Sequence, residues 1–146
     1  MVSFGGTKNG LLYGECVLVL NPDAVRGVEY VRKLALQLAS KMRFVSAQFE
    51  ALLDGDLWHR NASHANAMAA RLHDAVADVA GLQITQPVEA NMVFAVLPPE
   101  ATARLQKLYP FYVVDEARGL ARWVTSYDTT EEDVDGFAEA IRAELG

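Results

Sequence analysis

The chain has 146 residues, a formal net charge of −6, and a composition that is 51% hydrophobic and 22% charged. These values are typical of one folded domain or of one part of a larger protein, and they exclude an intrinsically disordered chain. No apolar run approaches the roughly 20 residues that a membrane helix needs, and nothing resembles a secretory leader. A single cysteine, Cys16, cannot form an internal disulfide, so a cytoplasmic protein is expected.

The net negative charge lies in the second part of the chain. Residues 1–80 hold 8 Lys or Arg and 8 Asp or Glu, whereas residues 81–146 hold 5 and 11. Nucleic-acid binding that is independent of sequence relies on basic side chains that neutralise phosphates. The acidic surface therefore argues against a nucleic-acid partner, and the lack of an apolar span argues against a membrane.

A loop of small residues opens the chain. Gly5, Gly6 and Gly10 surround a lone lysine, Lys8, and the apolar run at residues 16–20 then predicts a strand.

Helical spacing follows. Asn21-Pro22-Asp23 is typical of a helix start, with an N-cap, a first-position proline and an acid in the first turn. An apolar stripe then continues to a break at residues 54–56, and a second helix is predicted over residues 58–79 with Gly81 as its C-terminal cap. The first stripe consists of Leu34, Leu38, Val45, Phe49 and Leu52, and the second of Met68, Leu72, Val76 and Val79.

The remaining residues predict a small α/β layer. Strands are expected over residues 82–85, 91–97, 111–114 and 120–125, with a helix over residues 100–108. A capping box, Thr129-x-x-Glu132, predicts the start of a closing helix. The apolar stripe of that helix consists of Val134, Phe137, Ile141 and Leu145.

Lys8 is the residue with the clearest chemical potential. A Lys-Asn-Gly turn is most often an ordinary exposed turn. A Schiff-base lysine, by contrast, needs a curved backbone next to a carbonyl cofactor, and neighbouring glycines would let a ring and a phosphate approach. The Thr7 hydroxyl could add a hydrogen bond to that phosphate. The spacing alone leaves both interpretations open.

A metal site is not expected. His59, His64 and His73 are separated by 5 and 9 residues, whereas ligands on one helix face are three or four residues apart. These histidines are interpreted as surface or interface residues.

The stretch at residues 2–10, VSFGGTKNG, resembles the pyridoxal-phosphate lysine motif of the threonine aldolase/β-eliminating lyase family. Further matches follow in the same order, so the resemblance covers essentially all 146 residues. They lie at residues 37–44, 61–70, 91–94, 122–126 and 128–130.

The resemblance implies the C-terminal half of a fold-type I pyridoxal-phosphate enzyme. The expected fold is α/β (α+β): a small C-terminal domain with a short, mainly antiparallel sheet packed with helices, preceded by the lysine loop and a long connecting helix. Residues 1–22 would be a remnant of the large cofactor-binding domain, and residues 23–146 would form the connecting helices and the small domain.

The implied reaction is the cleavage of β-hydroxy-α-amino acids to glycine and an aldehyde. Lys8 would be the catalytic lysine that binds pyridoxal 5'-phosphate, with Thr7 beside it, and Arg122 would hold the α-carboxylate of a small amino-acid substrate. The strand pattern agrees, because an arginine on an apolar strand face needs a carboxylate partner. An ion pair with Asp115 or Glu116 is the alternative.

In the family, this lysine lies past the middle of the chain. The preceding domain supplies the phosphate loop, the ring stacked on the pyridine, and the acid that makes the cofactor an electron sink. Only seven residues precede Lys8. We therefore expect no aldolase activity from this chain alone.

Two hypotheses remain at this point. The chain is either a part of a threonine-aldolase-like lyase or a non-catalytic oligomeric α/β module derived from that family. Under both, the apolar stripes predict a homo-oligomer or an N-terminal partner segment. An enzyme part should expose apolar surface around Leu11, Leu12, residues 17–20 and the helix at residues 34–49, whereas an autonomous module should bury it.

Overall fold

A computed structural model describes all 146 residues, which form two compact units, Met1–Arg60 and Asn61–Gly146. The expected α/β class is confirmed, since five α-helices accompany two small antiparallel sheets. None of the helices combines the length and the hydropathy that crossing a bilayer requires. The helices are α1 (Val28–Leu34), α2 (Met42–Leu53), α3 (Leu57–Val76), α4 (Pro99–Leu105) and α5 (Glu131–Leu145); the strands are β1 (Val2–Gly5), β2 (Glu15–Leu18), β3 (Gln83–Ile84), β4 (Met92–Val96), β5 (Tyr112–Asp115) and β6 (Leu120–Val124).

The first unit is built on a two-stranded hairpin. β1 pairs antiparallel with β2, from Val2 opposite Leu18 to Gly5 opposite Glu15. The ring of Phe4 lies 5.9 Å from that of Phe49 on α2, measured between centroids. Few side chains are enclosed here: the buried residues of this unit are Gly6, Val45 and Leu52.

The stripe from Leu34 to Leu52 predicts a continuous helix, and this prediction is wrong for the first half of the stripe. Asn21 does cap a turn, since its side chain accepts from the Asp23 amide, but that turn is a 3-10 turn of three residues. Gly27 and Leu36 have positive φ angles of 68° and 57°, which end helical geometry on either side of α1. A continuous helix begins again only at α2.

The second unit contains the hydrophobic core. Its sheet has the order β3-β4-β6-β5, with antiparallel neighbours throughout. Alternate residues of the two central strands face inward, so that Val93 lies opposite Trp123 and Ala95 opposite Ala121. The predicted inner faces of α3 and α5 close over them. The core helical residues include Met68, Leu72, Val76, Val134, Phe137 and Ile141.

Charged side chains tie α3 to α5 within this unit. Arg71 donates from Nε and Nη2 to the two carboxylate oxygens of Asp135 at 2.9 and 2.8 Å, and its Nη1 lies 3.0 Å from Glu131. The hydrogen bond raises the pKa of Arg71 and lowers that of Asp135. These exposed ion pairs lie on the rim of the core and join two helices that the core already packs together.

Two predicted helix boundaries are wrong. α3 ends at Val76 rather than at residue 79, and Gly81, with φ of 85°, lies in the turn beyond it. The capping box begins at Thr130 instead of Thr129. Thr129 is engaged in the preceding turn, because its hydroxyl accepts from the Ser126 amide at 2.8 Å.

Candidate functional site

The lysine loop is held by its own backbone. Lys8 lies in the middle of a 3-10 turn, Thr7–Asn9, between β1 and β2. The Gly6 carbonyl accepts from the Leu11 amide at 3.1 Å, and Gly10 closes the turn with a left-handed φ of 104°. The side chains of Lys8 and Thr7 point outward and are exposed.

Two glycines of the loop make room for other side chains of the same hairpin. A Cβ atom on Gly6 would collide with the Leu11 side chain, and one on Gly5 would collide with the Glu15 carboxylate. The Schiff-base interpretation of the loop, one of the two that the spacing leaves open, uses these glycines to admit a ring and a phosphate. The structure gives Gly6 a role in packing the hairpin, whereas the Glu15 carboxylate beside Gly5 is the end of a flexible, exposed side chain.

The hairpin is fixed to α2. The side chain of Gln48 bridges the two, since its Oε1 accepts from the Leu12 amide at 2.9 Å and its Nε2 donates to the Phe44 carbonyl at 3.1 Å. Asn9, next to Lys8, donates from Nδ2 to the Trp58 carbonyl at 3.1 Å. These bonds define where the lysine loop lies within the first unit.

The residues at this turn fit the carbonyl end of pyridoxal phosphate. The ion pairs of the chain are formed by Arg71, His73, Arg104 and Arg142, so the Lys8 amine is not committed to a carboxylate. An exposed amine that is free of an ion pair can attack a carbonyl carbon. The adjacent Thr7 hydroxyl is available as a donor.

Arg122 lies in the second unit, in the middle of β6. It lies opposite Phe94 of β4 on one side and Tyr112 of β5 on the other, so two aromatic residues flank it on the outer sheet face. Its guanidinium carbon is 5.8 Å from the centroid of the Tyr112 ring. This contact restricts the direction in which the guanidinium can extend.

The guanidinium of Arg122 does not form the ion pair with Asp115 or Glu116 that the sequence analysis gave as the alternative. Asp115 accepts from the Arg118 amide at 3.1 Å instead, and neither Asp115 nor Glu116 forms a salt bridge with Arg122. The Nε atom of Arg122 is buried without a hydrogen-bond partner. A buried unsatisfied donor costs about 1–3 kcal/mol, and a carboxylate, which can accept two parallel N–H bonds from arginine, would satisfy it.

The three histidines each contact a different residue and form no cluster. The His59 ring packs at 5.4 Å from Trp58, His64 Nε2 lies 2.7 Å from the Thr129 carbonyl, and His73 Nδ1 lies 2.9 Å from Asp74. No group of three His, Cys, Asp or Glu side chains is arranged to hold a metal ion.

Sequence reasoning missed an aromatic cavity next to Arg122 along β6. Trp123 faces the core side and is 3% exposed, and its indole Nε1 has no partner. The cavity of about 170 Å³ is lined mainly by apolar side chains and by Asp133 at the start of α5. The alternation of β6 indicates an inward Trp123, but the cavity depends on the loop before β5, which periodicity does not describe. Its aromatic lining is formed by Tyr109, Phe111, Trp123 and Phe137.

Comparisons with known proteins identify relatives that are longer than this chain. The chain is 43% identical over its whole length to the low specificity L-threonine aldolase of Pseudomonas aeruginosa, and 43% identical over 98% of its length to that of a Pseudomonas species. It covers 42% and 41% of those proteins, and therefore spans about two fifths of their length. No protein-family model matches it.

Two solved structures are similar to this chain, and one of them is a threonine aldolase. The Leishmania major threonine aldolase superposes with a TM-score of 0.87 at 26% identity, over 99% of this chain and 43% of that one. A glycine decarboxylase (P-protein) of the glycine cleavage system superposes with a TM-score of 0.58 at 27% identity, over 69% of this chain and 25% of that one. The resemblance predicted from the lysine motif is confirmed, and the chain is similar along its whole length to a part, about two fifths, of a threonine aldolase.

Proposed function

We propose that the chain is the C-terminal part of a pyridoxal-phosphate-dependent, threonine-aldolase-like lyase that cleaves β-hydroxy-α-amino acids to glycine and an aldehyde. The observation that carries this proposal is the 43% identity to the L-threonine aldolase of Pseudomonas aeruginosa over the whole length of the chain. Because the chain spans two fifths of those proteins, turnover needs the remaining part. Residues 1–22 belong with the large cofactor-binding domain in this proposal, and residues 23–146 supply the connecting helices and the small domain.

Lys8 is the residue that attaches the cofactor. Its amine is exposed on a turn whose backbone is closed by Gly6 and Gly10, and Thr7 lies beside it as a donor for the phosphate. When bound, the pyridoxal ring withdraws electrons from the substrate and so permits the bond between the α and β carbons to break.

Arg122 binds and orients the substrate. Its buried Nε lacks a partner, and a substrate α-carboxylate would satisfy it through a bidentate contact. Phe94 and Tyr112 flank it on the sheet face and limit the directions from which a carboxylate can approach. Truncating this contact should weaken substrate binding without affecting attachment of the cofactor to Lys8.

The non-catalytic oligomeric module is the alternative function. It is favoured by the core of the second unit, to which 18 of the 20 buried hydrophobic residues belong. Such a core allows residues 61–146 to persist without catalysis. It does not account for the first unit, where only Val45 and Leu52 are buried among the hydrophobic residues.

A fusion tests the proposal. The part of the Pseudomonas aeruginosa aldolase that this chain does not match is joined in front of Met1, and cleavage of L-threonine and L-allo-threonine is measured as glycine and acetaldehyde formed. Borohydride reduction followed by mass mapping locates the cofactor. Lys8→Ala is compared with Lys107→Ala, a matched change at an exposed lysine of the second unit.

We expect the fusion to cleave both substrates and to carry the cofactor on Lys8, and we expect the unfused chain to show no turnover. Lys8→Ala removes labelling and activity, whereas Lys107→Ala retains them. Arg122→Met raises KM by roughly 10–150-fold, the equivalent of a charged hydrogen bond of about 1.5–3 kcal/mol, and leaves labelling intact. Cofactor bound to other lysines, or activity that survives Lys8→Ala, would contradict the proposal. A fusion without activity or labelling would favour the module.

A further inference from the structure

A cavity of about 170 Å³ lies between β6, the loop before β5 and the start of α5 in the second unit. Trp123 lines it from the core side of the sheet, whereas Arg122 lies on the opposite face of β6. Val124 and Asp133 also line it and are exposed, so the cavity is open to solvent. An engineered protein cavity of about 150 Å³ admits benzene, so this one has room for a small organic molecule.

Aromatic rings bound the cavity from several directions. The Trp123 ring is nearly perpendicular to those of Phe111 and Phe137, at 83° and 87°, and the Tyr109 ring lies 4.9 Å from that of Phe137 between centroids. The face of an aromatic ring carries a negative partial charge, which attracts a cation that lies over it. Clusters of such rings bind methylated ammonium groups, because the methyl groups pack against the rings while the positive charge is retained. The lining therefore favours an organic cation with an apolar surface.

The charge of the lining favours a cation as well. Asp133 is the charged residue among those that line the cavity, which include no Lys, Arg or His. Its Oδ2 accepts from the amide and the hydroxyl of Thr130 at 2.9 and 2.8 Å, whereas its Oδ1 accepts no hydrogen bond. These bonds lower the pKa of Asp133, so the carboxylate is negatively charged at neutral pH. Arg71, on α3, is committed to Glu131 and Asp135 instead.

We propose that this cavity binds a small methylated ammonium ion, of which choline is an example, with its methyl groups against the aromatic rings and the Asp133 carboxylate as its counter-ion. A quaternary ammonium has no N–H groups, so it leaves no donor unsatisfied when it enters an apolar cavity. A primary ammonium is strongly hydrated and loses more on entering, and an anion is repelled by Asp133. The site lies entirely within the second unit and does not depend on the proposed function.

Titration of the full chain with choline chloride at constant ionic strength tests the proposal. The readout is the NMR resonance of the Trp123 indole N–H, which is assigned with the variant Trp58→Phe because Trp58 is the other tryptophan. We expect a saturable shift with a Kd of about 1–10 mM, the affinity of a few cation–π contacts and one exposed ion pair. The neutral alcohol 3,3-dimethylbutan-1-ol has the shape of choline without its charge, and should bind about tenfold more weakly.

Two pairs of variants locate the site. Asp133→Asn keeps an oxygen that can accept from Thr130, and should weaken choline binding about fivefold while leaving binding of the neutral alcohol unchanged. The matched control, Glu132→Gln, removes an exposed carboxylate that does not line the cavity, and should change the affinity by less than about twofold. Phe111→Leu removes a ring and should weaken choline binding about tenfold, whereas Tyr109→Phe keeps the ring and should not change it.

Urea unfolding of each variant shows whether it remains folded. Tyr109→Phe and Asp133→Asn keep the shape of the lining, so the test stands even where Phe111→Leu does not fold. Saturable binding of choline that weakens with Asp133→Asn and not with Glu132→Gln supports the proposal. It is overturned if choline gives no saturable shift at about 100 mM, if choline and the neutral alcohol bind equally, or if the two carboxylate variants have equal effects.

Discussion

Removing a buried leucine from α4 should reveal how much of the chain's stability resides in the second unit. Leu105 is fully buried and belongs to the core cluster with Val93, Trp123 and Ile141. Leu105→Ala should cost about 2–5 kcal/mol, since the surrounding side chains cannot fully close the cavity. At 0.05–0.15 kcal/mol per residue, the second unit is stable by about 4–13 kcal/mol, so the variant loses a large share of it.

The assay is urea unfolding followed by far-ultraviolet circular dichroism. With a slope of about 2 kcal/mol per molar urea, a loss of about 3 kcal/mol lowers the midpoint by about 1.5 M. The matched change Leu34→Ala removes a side chain that is 82% exposed, and should alter the unfolding free energy by no more than about 0.5 kcal/mol. A decrease in unfolding free energy of less than 1 kcal/mol for Leu105→Ala, or an equal decrease for both variants, would refute the conclusion that the core lies mainly in the second unit.

Three further predictions concern polar contacts of the second unit. Arg122→Met should leave the unfolding free energy unchanged or raise it by about 1 kcal/mol, because it removes an unsatisfied buried donor. A marked decrease of the unfolding free energy, measured by urea unfolding, would contradict this. Thr130→Ala removes the N-cap of α5 and should cost about 1 kcal/mol, with faster amide exchange in the first turn, whereas Thr129→Ala should not affect that turn. The hydrogen bonds from Thr130 lower the pKa of Asp133, so the stability that this carboxylate contributes is complete above the ordinary pKa of an aspartate and is lost as pH falls through the folded value. The difference in unfolding free energy between wild type and Asp133→Asn should therefore be constant near neutral pH and shrink below about pH 4. A difference that does not change with pH would contradict this prediction.

The second unit could be predicted well because its patterns are enforced by burial. Alternation along β4 and β6 places Val93 and Trp123 inward, and the helical spacing of α5 places Ile141 against them. The first unit could not be predicted as well, because its apolar residues lack a core within this chain. Leu34 and Leu38 match a helical stripe, but Leu38 lies outside any helix and is 53% exposed. Periodicity indicates that such residues are covered, and it does not indicate by what.

The sequence predicts which residues belong to the candidate site, but it does not predict their geometry. The lysine motif singles out Lys8 from sequence, but the packing of Leu11 against Gly6 requires the folded loop. The neighbours of Arg122 depend on strand register, which places Phe94 and Tyr112 on either side of it. An irregularity between Val113 and Asp115 shifts that register within β5, and a pattern of period two cannot reveal it.

The two proposed site residues differ in what holds them, and this difference constrains how such a site can work. Arg122 lies in a sheet whose inner face is a packed core, so its position persists whenever the second unit is folded. Lys8 lies in a turn that is held to α2 and Trp58 by the hydrogen bonds of Leu12 and Asn9, in a unit where only Val45 and Leu52 are buried among the hydrophobic residues, so its position depends mainly on those bonds. Specific capture of a carbonyl cofactor needs a fixed amine, since a mobile lysine reacts no more selectively than other exposed lysines. Selective attachment of pyridoxal phosphate at Lys8 should therefore depend on the hydrogen bonds that hold this turn to α2 and Trp58, whereas the position of Arg122 depends on the core of the second unit.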